Sequence, residues 1–406
     1  MDAELRTLER AALSGGARER LAWARGLERA GRRDEAVAAL VPVRDDHAVR
    51  AHLEALPAWT HLDGNPGATD FLDARPVART PHVRWTVDVS AETQFLLASP
   101  LVLVTLDEDG HLVAIDPGTG AMRHIPTPPL RFECLELRLA SLIHDDDETG
   151  VLVVDLVTGT TRAVPDPGRA AVHTSARDRD FMVRVLTSDL VEAFSTEPNG
   201  AVREKLWRFP ASGHLDEDLA GCADVKIGPN SVVLLGAAHF AVLDRATGAL
   251  VFRGEGGDVG VDALGVLHLN PPSLSVHDAV GKRVWSRTLD DGGVELALSP
   301  DVLVIANGGA TCILDRRTGW PVGVVREYRH VHAVIGDVVY TSAAGSLEAR
   351  RLSAEVLWSF DAGGIIDAFA ALDARIFLGV RSPDGESRRI LCLEEPRPEE
   401  PLRTAR

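Results

Sequence analysis

Apolar positions recur at two different periods along the chain, and the change of period divides it. Over residues 1–56 the spacing is helical: Leu5, Leu8, Ala12 and Leu13, then, past the break at Gly15-Gly16, Leu21, Trp23, Ala24 and Leu27. Gly31 stands where the second helix should stop. Asp34 and Asp46 stand where a third helix (35–41) and a fourth (47–56) should be capped. Residues 57–81 carry Pro57, Gly64, Pro66, Gly67, Pro76 and Pro81, which marks a linker between domains. From residue 82 to 393 the apolar runs are short and separated by Gly, Asp, Asn and Pro, the pattern of strands joined by tight turns.

The strand region repeats. Leu101-Val-Leu-Val-Thr-Leu-Asp is followed by His111-Leu-Val-Ala-Ile-Asp-Pro-Gly-Thr-Gly120, and Gly150-Val-Leu-Val-Val-Asp-Leu-Val-Thr-Gly159 repeats its second half. His239-Phe-Ala-Val-Leu-Asp-Arg-Ala-Thr-Gly248, Ser273-Leu-Ser-Val-His-Asp-Ala-Val-Gly281 and Thr311-Cys-Ile-Leu-Asp-Arg-Arg-Thr-Gly319 are further copies. The turn glycines fall 39, 89, 33 and 38 residues apart. The longest gap fits two units, because a diverged copy occupies 181–208 with Asn199-Gly200 as its turn. Two more copies span 337–361 and 375–394. In each turn Gly supplies a positive φ, and the Asp and Thr side chains bond the turn's own backbone. A period near 40 residues with several strands per period predicts a β-propeller, whose sheets cannot bury both faces alone and stack around an axis.

Eight units are countable, at 94–125, 132–164, 176–210, 223–254, 258–289, 293–325, 331–361 and 366–393. The last lacks a fourth strand, and residues 82–89 resemble that strand as it stands in 356–361. They are expected to pair into the last unit and close the ring, which removes two sheet edges. A seven-bladed ring is the alternative, since the copies over 132–210 have diverged. The Pro-, Glu- and Arg-rich tail, 394–406, is expected to be disordered.

The unit Asp109-Gly-His-Leu-Val-Ala-Ile-Asp-Pro-Gly-Thr-Gly120, with the tryptophans of Lys205-Leu-Trp207, Arg283-Val-Trp285 and Val356-Leu-Trp358, resembles the PQQ-like propeller repeat of bacterial quinoproteins and of a lipoprotein that helps assemble outer-membrane proteins. The resemblance implies a mainly β, eight-bladed propeller in which the tryptophans dock blade on blade. Residues 17–41, with Arg29-Ala-Gly-Arg-Arg-Asp-Glu-Ala-Val-Ala-Ala-Leu40 at their centre, resemble a single tetratricopeptide-like hairpin. One such repeat does not bury its own face, so this small all-α domain is expected to lean on the propeller or on a partner.

Charge sharpens the picture. The net charge is −17, while residues 1–56 balance ten acids against ten arginines, so the excess acidity lies beyond them. An acidic body repels nucleic-acid phosphates and anionic membranes, and favours a basic partner surface. No apolar run approaches the ~20 residues that span a bilayer. The start, Met1-Asp-Ala-Glu-Leu-Arg, lacks a basic and apolar leader pattern, so the expected location is cytoplasmic. Lys205, Lys226 and Lys282 are the only lysines among 43 basic residues, a bias associated with bacterial genomes. Cys134, Cys222, Cys312 and Cys392 form no C-x-x-C pair and are expected to be reduced thiols on strands.

Candidate chemistry is sparse. Phosphate-loop, G-x-S-x-G and H-E-x-x-H patterns are absent. His330 and His332 sit at strand period, which predicts two imidazoles on one face, half of a metal site or an ordinary solvated pair. Asp145, Asp146 and Asp147 form an acidic loop that suits calcium or serves as a solvated turn. Quinoprotein dehydrogenases carry adjacent cysteines near the cofactor and a Glu, Asn and Asp calcium site; no two cysteines adjoin here, so no catalytic or cofactor residue is carried over and no cofactor is expected. The sequence therefore reads as a non-catalytic scaffold that binds another protein through a propeller rim or residues 1–56, in a bacterial cytoplasmic assembly. The alternative is an enzyme or a cofactor- or small-ligand-binding protein with its site at the axial channel.

Overall fold

Each repeat folds into an antiparallel sheet, four-stranded in chain order except in the last two repeats, and the eight sheets form an eight-bladed propeller. The computed structural model describes residues 2–30, 32–56, 71–90, 96–107, 109–127, 131–136, 139–143, 151–164, 172–178, 181–186, 190–196, 202–211, 224–236, 238–289, 295–307 and 309–396. Blades 1 to 8 span 97–125, 131–164, 172–210, 224–255, 258–288, 295–325, 330–361 and 365–394. First strands pack side by side between blades 2 and 3, 3 and 4, 4 and 5, 6 and 7, and 8 and 1, which places them around the axis. Burial falls from axis to rim. Val302–Asn307, second in blade 6, is buried on both faces, whereas Arg283–Thr288, last in blade 5, is mostly exposed. Continuously apolar strands suit the middle of a blade, because another blade covers each face.

The fourth strand of blade 8 is His82–Val89, paired antiparallel with Arg388–Glu394 from His82↔Glu394 to Val89↔Arg388. The last strand thus runs one residue past the expected end of the propeller. Glu394 belongs to the sheet by pairing with His82 and Arg375, and its carboxylate also accepts from Arg84 Nη1 at 2.9 and 2.7 Å. Residues 397–406, the rest of the expected disordered tail, lie outside the described residues.

Aromatic side chains bolt four of the blades to the next one. In the fourth strands of blades 8, 3 and 5 the indole N–H of Trp85, Trp207 and Trp285 donates to the carbonyls of Pro117, Arg245 and Arg316 in the following blade, at 3.1, 2.8 and 2.6 Å. The ring lies over the turn glycine, Gly120, Gly248 or Gly319, each at φ between +70° and +75°. A Cβ there would stand 2.6–2.9 Å from the indole, so glycine serves both the turn and the docking. Phe252 of blade 4 covers Gly281 in the same way, and Arg123 of blade 1 donates to the Leu156 carbonyl. A register shift just before Trp85, Trp207, Phe252, Trp285 and Trp358 bends the strand and aims the ring sideways. Arginines add ion pairs across two boundaries: Arg245 to Asp178 at 2.8 Å and Arg316 to Asp262 at 2.7 Å.

Trp358 of blade 7 has no such turn to dock on, because blade 8 takes its fourth strand from the other end of the chain. Its indole donates instead to the Val77 carbonyl at 2.8 Å. The Val77 N–H donates to the Tyr340 hydroxyl at 2.8 Å, and that hydroxyl donates back to the same carbonyl at 3.1 Å. Residues 71–81 are therefore part of the propeller rather than a spacer. Phe71–Leu72 adds a fifth strand, parallel to the first strand of blade 7, and Val77 is 1% exposed. The other residues of the expected linker, 57–70, lie outside the described ones.

The N-terminal domain consists of α1 (Asp2–Ser14), α2 (Ala17–Arg29), α3 (Arg33–Leu40) and α4 (His47–Glu54). Asp46 caps α4, accepting from the amides of Ala48 and Val49. Asp34 is not at the cap position: α3 starts one residue earlier, behind Arg32 and without a side-chain cap. Leu27, Leu40, Val49 and Leu53 centre a core of the domain's own, and Leu101 of blade 1 packs against it. No helix among the described residues is long and apolar enough to cross a membrane.

Candidate functional site

Four places on the molecule gather chemistry. The first is the predicted imidazole pair. His330 and His332 stand on the first strand of blade 7, but the register shifts between Val331 and Ala333. The bulge breaks the period-two pattern and gives the rings different surroundings. His330 is exposed, its Nδ1 2.6 Å from Glu295 Oε1, and that oxygen also accepts from the Tyr328 hydroxyl at 2.7 Å. His332 turns inward, stacks on Phe369 of blade 8 at 5.4 Å and 10°, and lies 2.8 Å from Ser342 Oγ. Burial, helped by the neighbouring His330, pushes the His332 imidazole down to about 4. A neutral ring held by a stack and a hydroxyl is a packing group. Asp145, Asp146 and Asp147 lie outside the described residues.

The second is a turn that the sequence reading passed over. Asp107, Asp109 and His111 bring two carboxylate oxygens and an imidazole nitrogen within 4.8 Å of one another, and His124 Nδ1 lies 3.3 Å from Asp107 Oδ2. Partial burial raises the Asp107 carboxyl, but the amides of His111 and Asp109 and the His124 ring outweigh it and hold the group below its ordinary range. Asp107 Oδ1 already accepts from both amides, at 2.8 and 3.1 Å, so its first task is to build the hairpin.

The third is a cavity of about 430 Å³ between α3 and blades 8 and 1. Val37, Val41 and Leu56 form one wall, with Pro100, Leu101 and Leu372 opposite. Arg84 and Arg375 border it, tied to Glu394 and to the carbonyls of Gly118 and Pro117. The space suits a small, mainly apolar group. It is a feature of the domain junction, assembled from four separate chain segments, and no linear motif announces it.

The fourth is the rim. On the fourth strands of blades 3 to 7, Leu206, Leu250, Val284, Val322, Val324 and Val356 are 36–49% exposed, and Trp320, at the head of the blade 6 strand, is 73% exposed. Alternation predicts apolar faces on these strands, but which face meets water is decided by where the bolts point.

No protein-family profile matches the chain, and no curated protein matches it in sequence. Solved structures do match in shape. BamB from Moraxella catarrhalis aligns with a TM-score of 0.52 at 13% identity, over 78% of this chain and 100% of that one. The quinohemoprotein alcohol dehydrogenase from Comamonas testosteroni aligns at 0.57 and 12%, over 92% and 86%. Sqt1 from Saccharomyces cerevisiae aligns at 0.54 and 12%, over 78% and 100%. At these identities the likeness shows a shared propeller fold, which hosts many unrelated functions.

Proposed function

We propose that this chain is a non-catalytic scaffold, a rigid ring that binds another protein at its rim in a bacterial cytoplasm. The observation that carries the reading is the apolar rim itself. Trp320, Val322 and Val324 stay in water at and along one strand, whereas Trp85, Trp207 and Trp285, which bond a neighbouring blade, are at least partly buried. Large apolar side chains gathered in solvent mark interaction surfaces. The buried thiol of Cys392 fits a reducing compartment.

The test is capture of the full-length chain with cross-linking and mass spectrometry, followed by rebinding of the purified partner. A stoichiometric partner cross-linked to the outermost strands or to α1–α4 is expected. No partner, together with a metal or chromophore in the purified protein, overturns the reading. A second reading, small-ligand binding, draws on the cavity between α3 and blades 8 and 1, which differs from the axial channel expected for a ligand. A thermal-shift screen tests it, since a ligand that binds only the folded state raises the unfolding midpoint.

A further inference from the structure

We infer that the free edge of the outermost strand of blade 6, Pro321–Val325, accepts one additional strand from a partner protein, an apolar extended segment flanked by acidic residues. The inference rests on the scaffold reading and names the edge and the chemistry of the segment.

An outermost strand offers a row of backbone donors and acceptors to any passing chain, and proteins blunt such edges with charge. Seven of the eight outermost strands here follow that rule. Arg123, Arg162, Arg203, Arg253, Arg283, Asp361 and Arg84 each stand on a different one. Pro321–Val325 carries no charge at all. It ends its sheet, and it leaves Trp320 73%, Val322 48% and Val324 49% exposed. The opposite face is occupied: a Cβ on Gly323 would meet the Leu352 carbonyl of blade 7 at 2.7 Å. The strand is therefore fixed from behind and open in front. This chain itself adds strands from elsewhere to two blades: His82–Val89 supplies the outermost strand of blade 8, and Phe71–Leu72 pairs along the inner edge of blade 7.

Charge selects the occupant. Exposed Arg317 and Arg326 bracket the strand. On the neighbouring outermost strand Lys282, Arg283 and Arg287 are exposed, and Arg287 Nη1 donates to the Gly319 carbonyl at 3.1 Å, beside Trp320. Of the acids in the flanking turns, Glu327 is paired with Arg329 at 2.7 Å, and Asp315 keeps its charge while accepting from the Thr318 hydroxyl at 2.6 Å, so the cations outnumber the unpaired acid. The net charge of −17 points to a basic partner, but the local charge at this edge points the other way. A second copy would set the same arginines against each other and bring together two bodies of −17. A basic segment is repelled, and an acidic-flanked one is drawn in.

The experiment uses the full-length protein and three labelled peptides. These are Glu-Asp-Val-Thr-Val-Thr-Val-Asp-Glu, the same core with Lys and Arg flanks, and the acidic peptide with Pro for its central Val. Fluorescence anisotropy should show the acidic peptide binding at least roughly tenfold tighter than the basic one, with the gap shrinking as salt rises. The Pro peptide should not bind. A Val322→Lys, Val324→Lys double variant with an unchanged circular dichroism spectrum should lose binding, and Arg317→Glu with Arg326→Glu should reverse the flank preference. Equal affinity for the acidic and basic peptides, no binding of either, or binding that survives the double lysine variant overturns the inference. A dimer in sedimentation that the lysine variant abolishes overturns it in favour of a second copy. If the partner captured by the scaffold test binds the lysine variant unchanged, this inference falls while the scaffold reading stands. If no partner is captured and the purified protein carries a metal or chromophore, the scaffold reading itself falls.

Discussion

At Gly248 two demands meet on one residue. The backbone is left-handed, at φ +70°, and the Trp207 indole sits where a side chain would begin, 2.6 Å from the Cβ position. Gly309 shares the backbone, at φ +86°, but has nothing within 4 Å of that position. Replacing each by alanine therefore separates the two demands. Gly309→Ala should cost about 1 kcal/mol for the left-handed conformation alone. Gly248→Ala should cost roughly 2–4 kcal/mol, because the indole must also move. Urea denaturation measures both, and equal losses would show that the docked ring contributes nothing. Turn glycines are legible in sequence from the Asp-x-x-Thr-Gly pattern, and so were the tryptophans as packing groups. His332 was not: its strand spacing promised a partner for His330, and the bulge that turns it inward leaves no mark in the residue types. Its consequence is a pH dependence. The folded imidazole titrates at about 4, below the ~6.5 of an unfolded chain, so between those values the unfolded state binds more protons. Stability should fall as pH drops through that window. The loss should be of order 2 kcal/mol, discounted for the ring's remaining exposure. His332→Gln, which keeps a donor for Ser342, should flatten that slope in denaturation curves recorded from neutral pH downward.

Among elements, the segment 71–81 departs furthest from the sequence reading. Its prolines announced a break in regular structure, and that much was legible. Its docking was not, because the group it supplies is the Val77 carbonyl, and a backbone carbonyl has no signature in sequence. The need for it arises only when the ring closes with a strand from the other end and leaves Trp358 without a turn to bond. The segment then carries a prediction. A chain starting at residue 70 keeps the Val77 contacts and should unfold at nearly the same temperature as the propeller in the full chain. A chain starting at residue 79 leaves the Trp358 N–H and Tyr340 hydroxyl buried without their partner. It should be less stable by roughly 2–4 kcal/mol, since each orphaned polar group costs ~1–3 kcal/mol. Calorimetry on the two truncations decides it, and identical midpoints would show that the segment merely rests on the surface. The helices show the same division. Asp46 was recognisable as a cap from its place before an apolar run, whereas Asp34 stood in a similar place and lies inside α3.

Across the whole molecule, the number of blades follows from the repeat, and the circle follows from sheets that are apolar on both faces. Packing continues until the first sheet meets the last, and His82–Val89 then ties the ends together. Composition also gave the net charge, but its placement is a property of the ring: Asp107, Asp116, Asp244 and Asp315 build turns, while Arg203, Lys205, Arg253, Arg283 and Arg287 stand on the circumference. The cavity beside α3 belongs to this scale too, since residues from both ends of the chain line it. What the sequence determined by itself was local and periodic: where strands alternate, where turns need glycine, that a unit of about 40 residues repeats, and that a strand near residue 82 matches the one missing at the end. Those features depend on backbone conformation and side-chain alternation within a few residues. The tertiary structure alone decided which apolar faces are covered, which histidine is neutral, which carbonyl receives a stranded indole and which edge is left open. Each of those depends on what a distant segment brings alongside, and burial, desolvation and charge pairing exist only once it has arrived.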